Sequence, residues 1–385
     1  MKGDVYVSSI TKKTDELTGT ELIQLTDNSG DTYHPYFTKT LIDLNNEYML
    51  LGSNRTGAWQ LYTLRLRDGQ MVQITESIGI QPFNSVLDAK HHKVYYFANR
   101  TLKCVRLDNL EEDELMEIPE GFKPSDMSIT NEGDFLSFSY VEKIDLSTET
   151  TKIYSAMRET FFRKPTSVII RFDVAKKMPF AVWGEHRWIS HVNISPLDPN
   201  LILFCHEGPW HLVHRMWTAR VDRDEVLPLI DQRPGLEKIG HEFFTASGRI
   251  GAQYSYRDRI GDEFYKHGDI FVNADGTGER RYYYPYTRPS HIQLNYEETL
   301  GVGDRAPIRK EMKDHGNYIA LLKYEGESVQ VGLLCKHETS WRTQVSHPHP
   351  IFTRDDQYVI FSSDRGGKAN VYMARVDWDA CVKSD

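Results

Sequence analysis

HPIFTRDDQYVIFSSDRGGKANVYMARV, residues 349–376, decides the fold of this chain. It reads as strand, turn, strand, loop, strand. Apolar side chains alternate with polar ones, as on a strand with one buried face, and Asp355-Asp356 supplies the first turn. The same phrase recurs upstream. KTLIDLNNEYMLLGSNRTGAWQLYTLRL starts at Lys39, NSVLDAKHHKVYYFANRTLKCVRL at Asn84 and DMSITNEGDFLSFSYVEK at Asp126. HVNISPLDPNLILFCHEGP starts at His191, HEFFTASGRIGAQYSYRDR at His241 and HIQLNYEETLGVGDRAP at His291. In each, an apolar residue follows three places after the start: Ile42, Leu87, Ile129, Ile194, Phe244, Leu294 and Phe352. Repeats of ~40–50 residues built of short strands are the period of a β-propeller. The expected fold is therefore all-β, a seven-bladed β-propeller forming one domain over residues 1–385.

Two details refine that expectation. ELIQLT (21–26) lies before the first repeat and is expected to add an outer strand to the last blade, which hides an edge. The longest interval contains TKIYSAMRETFFRK (151–164), whose apolar spacing is helical and which lacks Gly and Pro, so an inserted helix is expected there. A shorter insertion, 306–317, falls at the same phase of the sixth blade.

Composition narrows the partners. With a formal net charge of −9, the chain is ill suited to nucleic acid, whose backbone demands clustered cations. An anionic small ligand would need a local basic site. No apolar run is long enough to span a bilayer and the N-terminus has no apolar signal core, so no membrane partner and a cytoplasmic location are expected. Cys104, Cys205, Cys335 and Cys381 form no CxxC pair and read as reduced thiols.

The chemistry converges at the repeat starts. In a propeller the first strand of each blade lines the central channel, so the start residues ring one mouth: Lys39, Asn84, Asp126, His191, His241, His291 and His349. Four are histidines in a chain that has only 15. A second ring at the end of each second strand holds Arg55, Arg100, Glu142, Glu207, Arg257 and Arg365, with Arg305 displaced by two places. Those arginines serve either bidentate docking of carboxylates or packing between blades. Lys39, His191, His206, Glu207, Arg55, Arg305 and Arg365 are the candidate substrate contacts.

The densest cluster is Gln344-Val345-Ser346-His347-Pro348-His349. Residues two apart on an extended segment share a side, so His347 and His349 can meet one ion, with His291 facing them from the adjacent blade. Three imidazoles with the Gln344 amide oxygen suit Mn²⁺ or another divalent metal with open positions. His241 begins the blade beside His291 and is a candidate general base, since imidazole titrates near neutral pH; the alternative is a satisfied channel histidine. Strand alternation would point its neighbour Glu242 away. No GxSxG or Gly-rich phosphate loop is present.

FCHEGP with RMW, HEFF, SHIQLNYEETLGVGD and QVSHPHPIFTRDDQYVIFSSD, in this order, resemble the oligogalacturonate lyases, and the likeness covers nearly the whole chain. YHPYFTK (33–39) and WISH (188–191) add to it. The resemblance implies a metal-dependent enzyme that cleaves short pectin-derived uronate oligomers by β-elimination, giving 4,5-unsaturated products. It implies His291, Gln344, His347 and His349 as metal ligands, His241 as the base and Arg215 as the arginine on the substrate carboxylate. The chain departs from the family pattern at Arg305, where a glycine is expected, at Phe244 of HEFF, where a tryptophan is expected, and in a loop between Pro209 and Arg215 that is one residue short. These departures surround the sugar and leave two rival readings: a lyase for another uronate-containing oligosaccharide, and a non-catalytic TolB-like propeller that binds a protein partner. A hydrolase would need two converging carboxylates.

Overall fold

The repeat phrases become antiparallel meanders. A computed structural model describes residues 1–146, 156–263, 265–285, 288–305 and 317–384. The stretch from His349 folds as Ile351–Phe352, Tyr358–Ser363 and Asn370–Arg375, each paired antiparallel with the next. Its fourth strand comes from the other end of the chain: Glu21–Gln24 pairs with Asn370–Arg375 in the register Leu22↔Ala374, Ile23↔Met373. Thr11–Thr14 then adds a fifth strand outside it, so the 21–26 segment is not the edge.

The other sheets follow the same plan. Thr32–Tyr33, Tyr48–Ser53, Gln60–Arg65 and Gln70–Gln73 form one, edged by Val5–Val7. Three four-stranded sheets follow, beginning at Val86–Asp88, Phe122–Ile129 and Ile189–Ile194. A nine-stranded sheet contains two successive antiparallel groups, beginning at Glu237–Phe244 and Ile292–Leu294, joined by the single parallel pair Tyr283↔Ser328. The helix Met157–Arg163 lies between the second and third strands of the sheet that starts at Phe122, as expected; residues 151–155 and 306–316 of the two expected insertions lie outside the described residues.

Alternation explains the burial. Tyr48–Ser53 and Lys93–Ala98 are second strands buried on both faces, packed between neighbouring sheets, and their interior is aliphatic and aromatic. The first strands are laced to one another. His191 N–H donates to Asp126 Oδ2 (2.8 Å), Gln293 Nε2 donates to the Phe37 carbonyl (2.9 Å), Phe352 N–H donates to Gln293 Oε1 (3.0 Å), and Arg354 Nε reaches the Ile42 carbonyl (3.0 Å). The last contact ties the chain's final meander to its first.

Several first strands are bulged at the repeat start. Register shifts fall between Pro124 and Met127, Ser190 and Asn193, and Gly240 and Phe243. His191, His241 and His349 carry φ of 50°, 55° and 45°. Non-glycine residues rarely hold this left-handed conformation, and bulges that adopt it re-aim side chains. All four cysteines are unpaired and buried. Among the described residues no helix is long and apolar enough to cross a membrane.

Candidate active site

Three histidines converge at one point. Ligand nitrogens of His291, His347 and His349 all lie within 4.8 Å of one another, and all three residues are buried. The ring centroids of His291 and His349 are 4.3 Å apart, and those of His291 and His347 are 5.6 Å apart. His291 Nδ1 meets Asp304 Oδ2 at 2.5 Å, and Asp304 Oδ1 also takes the backbone N–H groups of Ser290 and His291. The carboxylate therefore fixes Nδ1–H on His291 and leaves the Nε2 lone pair for a metal, because a carboxylate behind a ligating imidazole sets its tautomer and orientation. His347 Nδ1 and His349 Nε2 are buried without a hydrogen-bond partner among the described residues. Burial, with His291 adding to it, pushes the His347 imidazole down to about 4. Three converging imidazoles, two of them with an orphaned nitrogen, fit a divalent cation.

Beside this cluster lies a cavity of about 180 Å³ lined by Tyr36, Phe83, Asp126, His191, Glu207, Trp210, Arg215, His241 and Gln344. His241 joins the two: its ring is 4.4 Å from that of His291. Its Nδ1 lies 2.8 Å from Gln253 Oε1. The Gln253 amide is oriented by two partners of fixed polarity. Arg288 Nη1 donates to Oε1, and Nε2 donates to the Pro289 carbonyl. Gln253 Oε1 is thus an acceptor, His241 Nδ1 carries the proton, and Nε2 is the basic nitrogen. Burial, then the neighbouring His291 and His191, hold the His241 imidazole well below its ordinary value.

Arg215 is fully buried. Its Nε donates to Glu242 Oε2 and its Nη1 to Glu207 Oε1, both at 2.9 Å, while Nη2 has no partner among the described residues. Burial disfavours the charge, but Glu207 and Glu242 outweigh it, and the guanidinium is held well above its ordinary value. Glu242 therefore does not point away from the site: the bulge at Gly240–Phe243 breaks the alternation on which that expectation rested. Because removing one partner of a buried ion pair strands the others, typically at a cost of about 3–5 kcal/mol, Arg215→Met is expected to lower the midpoint of chemical denaturation. An unchanged midpoint would show that Glu207 and Glu242 are satisfied without it.

The remaining candidates divide. His191 lines the cavity, 3.8 Å from Glu207 and 4.0 Å from Glu242. His206 is turned away to Glu185 at 2.7 Å and faces a neighbouring cavity. Lys39 is buried against Asp126 at 3.6 Å and lines a different cavity, with Ser128 and Asn193. Arg55, expected to contact the substrate, pairs with Asp27 at 3.0 Å and covers the Tyr6 ring, joining the N-terminal segment to its sheet. Arg365, also expected to contact the substrate, pairs with Glu338 at 2.5 Å and donates to the Lys336 carbonyl, a packing contact between neighbouring sheets. Arg305 lies over Trp341, 4.7 Å from its centroid, and Trp341 in turn abuts His347. Asn84 is replaced at the cavity by its neighbour Phe83. Cys205 is no nucleophile, since burial pushes its thiol well above the ordinary range.

Sequence reasoning missed Tyr36, Trp210, Gln253 and Asp304. Asp304 carried a signal, as the final residue of the GVGD motif. Gly240 carried another: a Cβ there would lie 2.9 Å from the Trp210 ring, so only glycine lets Trp210 cover His241.

Three comparisons bear on this site. The family model described as oligogalacturonate lyase matches residues 1–380. An oligogalacturonate lyase of Dickeya dadantii (strain 3937) is 30% identical over 374 residues, covering 94% of this chain and 95% of that protein. A crystal structure of an oligogalacturonate lyase from Vibrio parahaemolyticus superposes with a TM-score of 0.87 at 25% identity, covering 99% of this chain and 100% of that one. A second structure, an oligogalacturonate lyase in complex with manganese, shares the fold with a TM-score of 0.86 at 24% identity, covering 98% and 99%.

Proposed function

This chain belongs to the oligogalacturonate lyase family, and on that premise we propose that it cleaves short oligogalacturonates by metal-dependent β-elimination. The observation that carries the reading is the juxtaposition of three converging buried imidazoles with a histidine of fixed tautomer and a buried arginine. We read the successive four-stranded groups as the seven blades of one propeller, a single domain whose first strands ring the site. The four unpaired cysteines support a cytoplasmic location.

The residues divide the work. His291, His347 and His349, with Gln344, hold the metal, for which manganese suits the donor set. When bound, the cation adds positive charge beside the uronate carboxylate and stabilises the enolate-like charge that develops there. Without it, the cavity's own balance is unfavourable to an anion, because Arg215 is matched by two carboxylates, Glu207 and Glu242. Arg215 offers its remaining donor, Nη2, to the substrate carboxylate. His241 Nε2 takes the C5 proton, the C5–H electron pair becomes the C4–C5 double bond, and the C4–O bond breaks. The leaving oxygen takes a proton from water or a nearby acid. Gln253 holds His241 in the competent tautomer, and Tyr36 and Trp210 wall the cavity. Among the described residues no pair of free carboxylates lines the cavity to support hydrolysis, since Glu207 is engaged by Arg215 and Asp126 by Lys39 and the His191 N–H. A partner-binding propeller without chemistry gives no reason for orphaned imidazole nitrogens.

A panel of uronate oligomers tests this directly. Galacturonate oligomers should give the absorbance of an unsaturated uronate, whereas new reducing ends without that absorbance would indicate hydrolysis. Asp304→Asn should weaken metal affinity by roughly 10–100-fold, the usual effect of removing the carboxylate behind a ligating histidine. Metal titration by competition with a chelator measures it, and an unchanged affinity would remove His291 from the ligand set.

A further inference from the structure

A second cavity of about 420 Å³ adjoins the first, with Glu207 in the wall of both. Its volume falls in the usual range of ligand pockets and holds one hexose ring with its hydration. The inserted helix makes one side. Phe161 packs so close to the loop after His206 that a Cβ on Gly208 would lie 2.6 Å from its ring, and Gly208 holds φ +155°; the approach requires glycine. The helix thereby places Phe162 and its C-terminal Lys164 at the cavity. Phe162 is 63% exposed, with its ring edge-on to that of Phe161 at 5.1 Å. His186, Arg187 and Trp188 also line it.

The polar groups favour an acidic sugar. His206 is 5% exposed, and Glu185, which can only accept, holds its Nε2–H at 2.7 Å. Its Nδ1 is buried without a hydrogen-bond partner among the described residues, beside the cavity that the ring lines. Lys164 makes no ion pair among the described residues, and Arg187 meets Glu185 only at 3.7 Å, while the two acids at the cavity's edge, Glu185 and Glu207, are already engaged by His206 and Arg215. Two under-used cations beside an exposed phenyl ring and an indole suit a carboxylate on a pyranose: the ring face stacks and the carboxylate pairs.

We propose that this second cavity is a distal subsite, which binds one further uronate unit of an oligomer whose reacting residue lies between His241 and Arg215. The proposal rests on the lyase reading for the first cavity and adds the part of the chain that sets length preference. It also gives the inserted helix a role: without Phe162 and Lys164 the cavity would lack one wall.

The test compares chain lengths. Lys164→Ala with Arg187→Ala, and separately Phe162→Ala, change exposed side chains and leave the first cavity intact. For tetragalacturonate kcat/KM should fall about tenfold in each, as for the loss of one or two charge-assisted or stacking contacts. For digalacturonate it should stay within about twofold. Calorimetric affinities for the same two oligomers, measured in a His241→Ala background that blocks turnover, should show the same split. Equal losses on both lengths, or no loss on the tetramer, would overturn the subsite. Absence of unsaturated product from any oligomer with the wild-type enzyme would instead overturn the lyase reading, and the calorimetric comparison would still decide the subsite.

Discussion

Protein carrying alanine at both His347 and His349 is expected to lose its divalent metal and essentially all turnover. Two of three imidazoles vanish, and a single His291 with an amide oxygen is a poor site for a divalent ion. Positive charge placed beside a carboxylate that must accept developing negative charge is worth several kcal/mol, so the rate should fall by roughly 10³-fold or more. Elemental analysis after reconstitution with Mn²⁺ measures the first effect, and the unsaturated-uronate absorbance the second. Metal content equal to wild type would place the ion elsewhere. The loss should not come from unfolding, and the circular dichroism spectrum checks this. The single change Gln344→Ala should have a smaller effect, because the imidazole cluster stays intact.

His241→Ala is the second large expectation. A positioned general base contributes typically ~10²–10⁴-fold, so kcat should fall by about that much while metal content stays near wild type. The separation is the informative part. His241 touches His291 but is not among the three converging histidines, and its Nδ1 is tied to Gln253, so it can be removed without dismantling the cluster. Turnover close to normal with full metal would move the base to His191, which lines the same cavity; His206 is turned to Glu185 and is no longer an alternative. Arg215→Ala is a less clean probe, since it also strands two buried carboxylates.

The repeat was legible because it is written in nearest-neighbour terms. Alternating burial, a turn every few residues and a polar start position depend only on the pleat and on turn chemistry, and these produced the antiparallel groups found at Val86, Phe122, Ile189 and beyond. The convergence of His291, His347 and His349 was legible for the same reason, a short motif plus a residue at the same phase of the preceding repeat. Glu242 shows where that reasoning stops. Alternation assumes an unbroken strand, and the left-handed backbone at His241 turns the next side chain toward Arg215. The arginines show a second limit. Arg55, Arg365 and Arg215 are equally long and equally charged, but Asp27 claims the first, Glu338 the second, and the third, held by Glu207 and Glu242, keeps one donor without a partner among the described residues. Each of those partners is chosen by how sheets pack against each other. By itself the sequence determined the period, the fold class and which residue types stand at the repeat starts; only the tertiary structure decided which of them face one another, because a long flexible cation pairs with whichever carboxylate packing brings within reach.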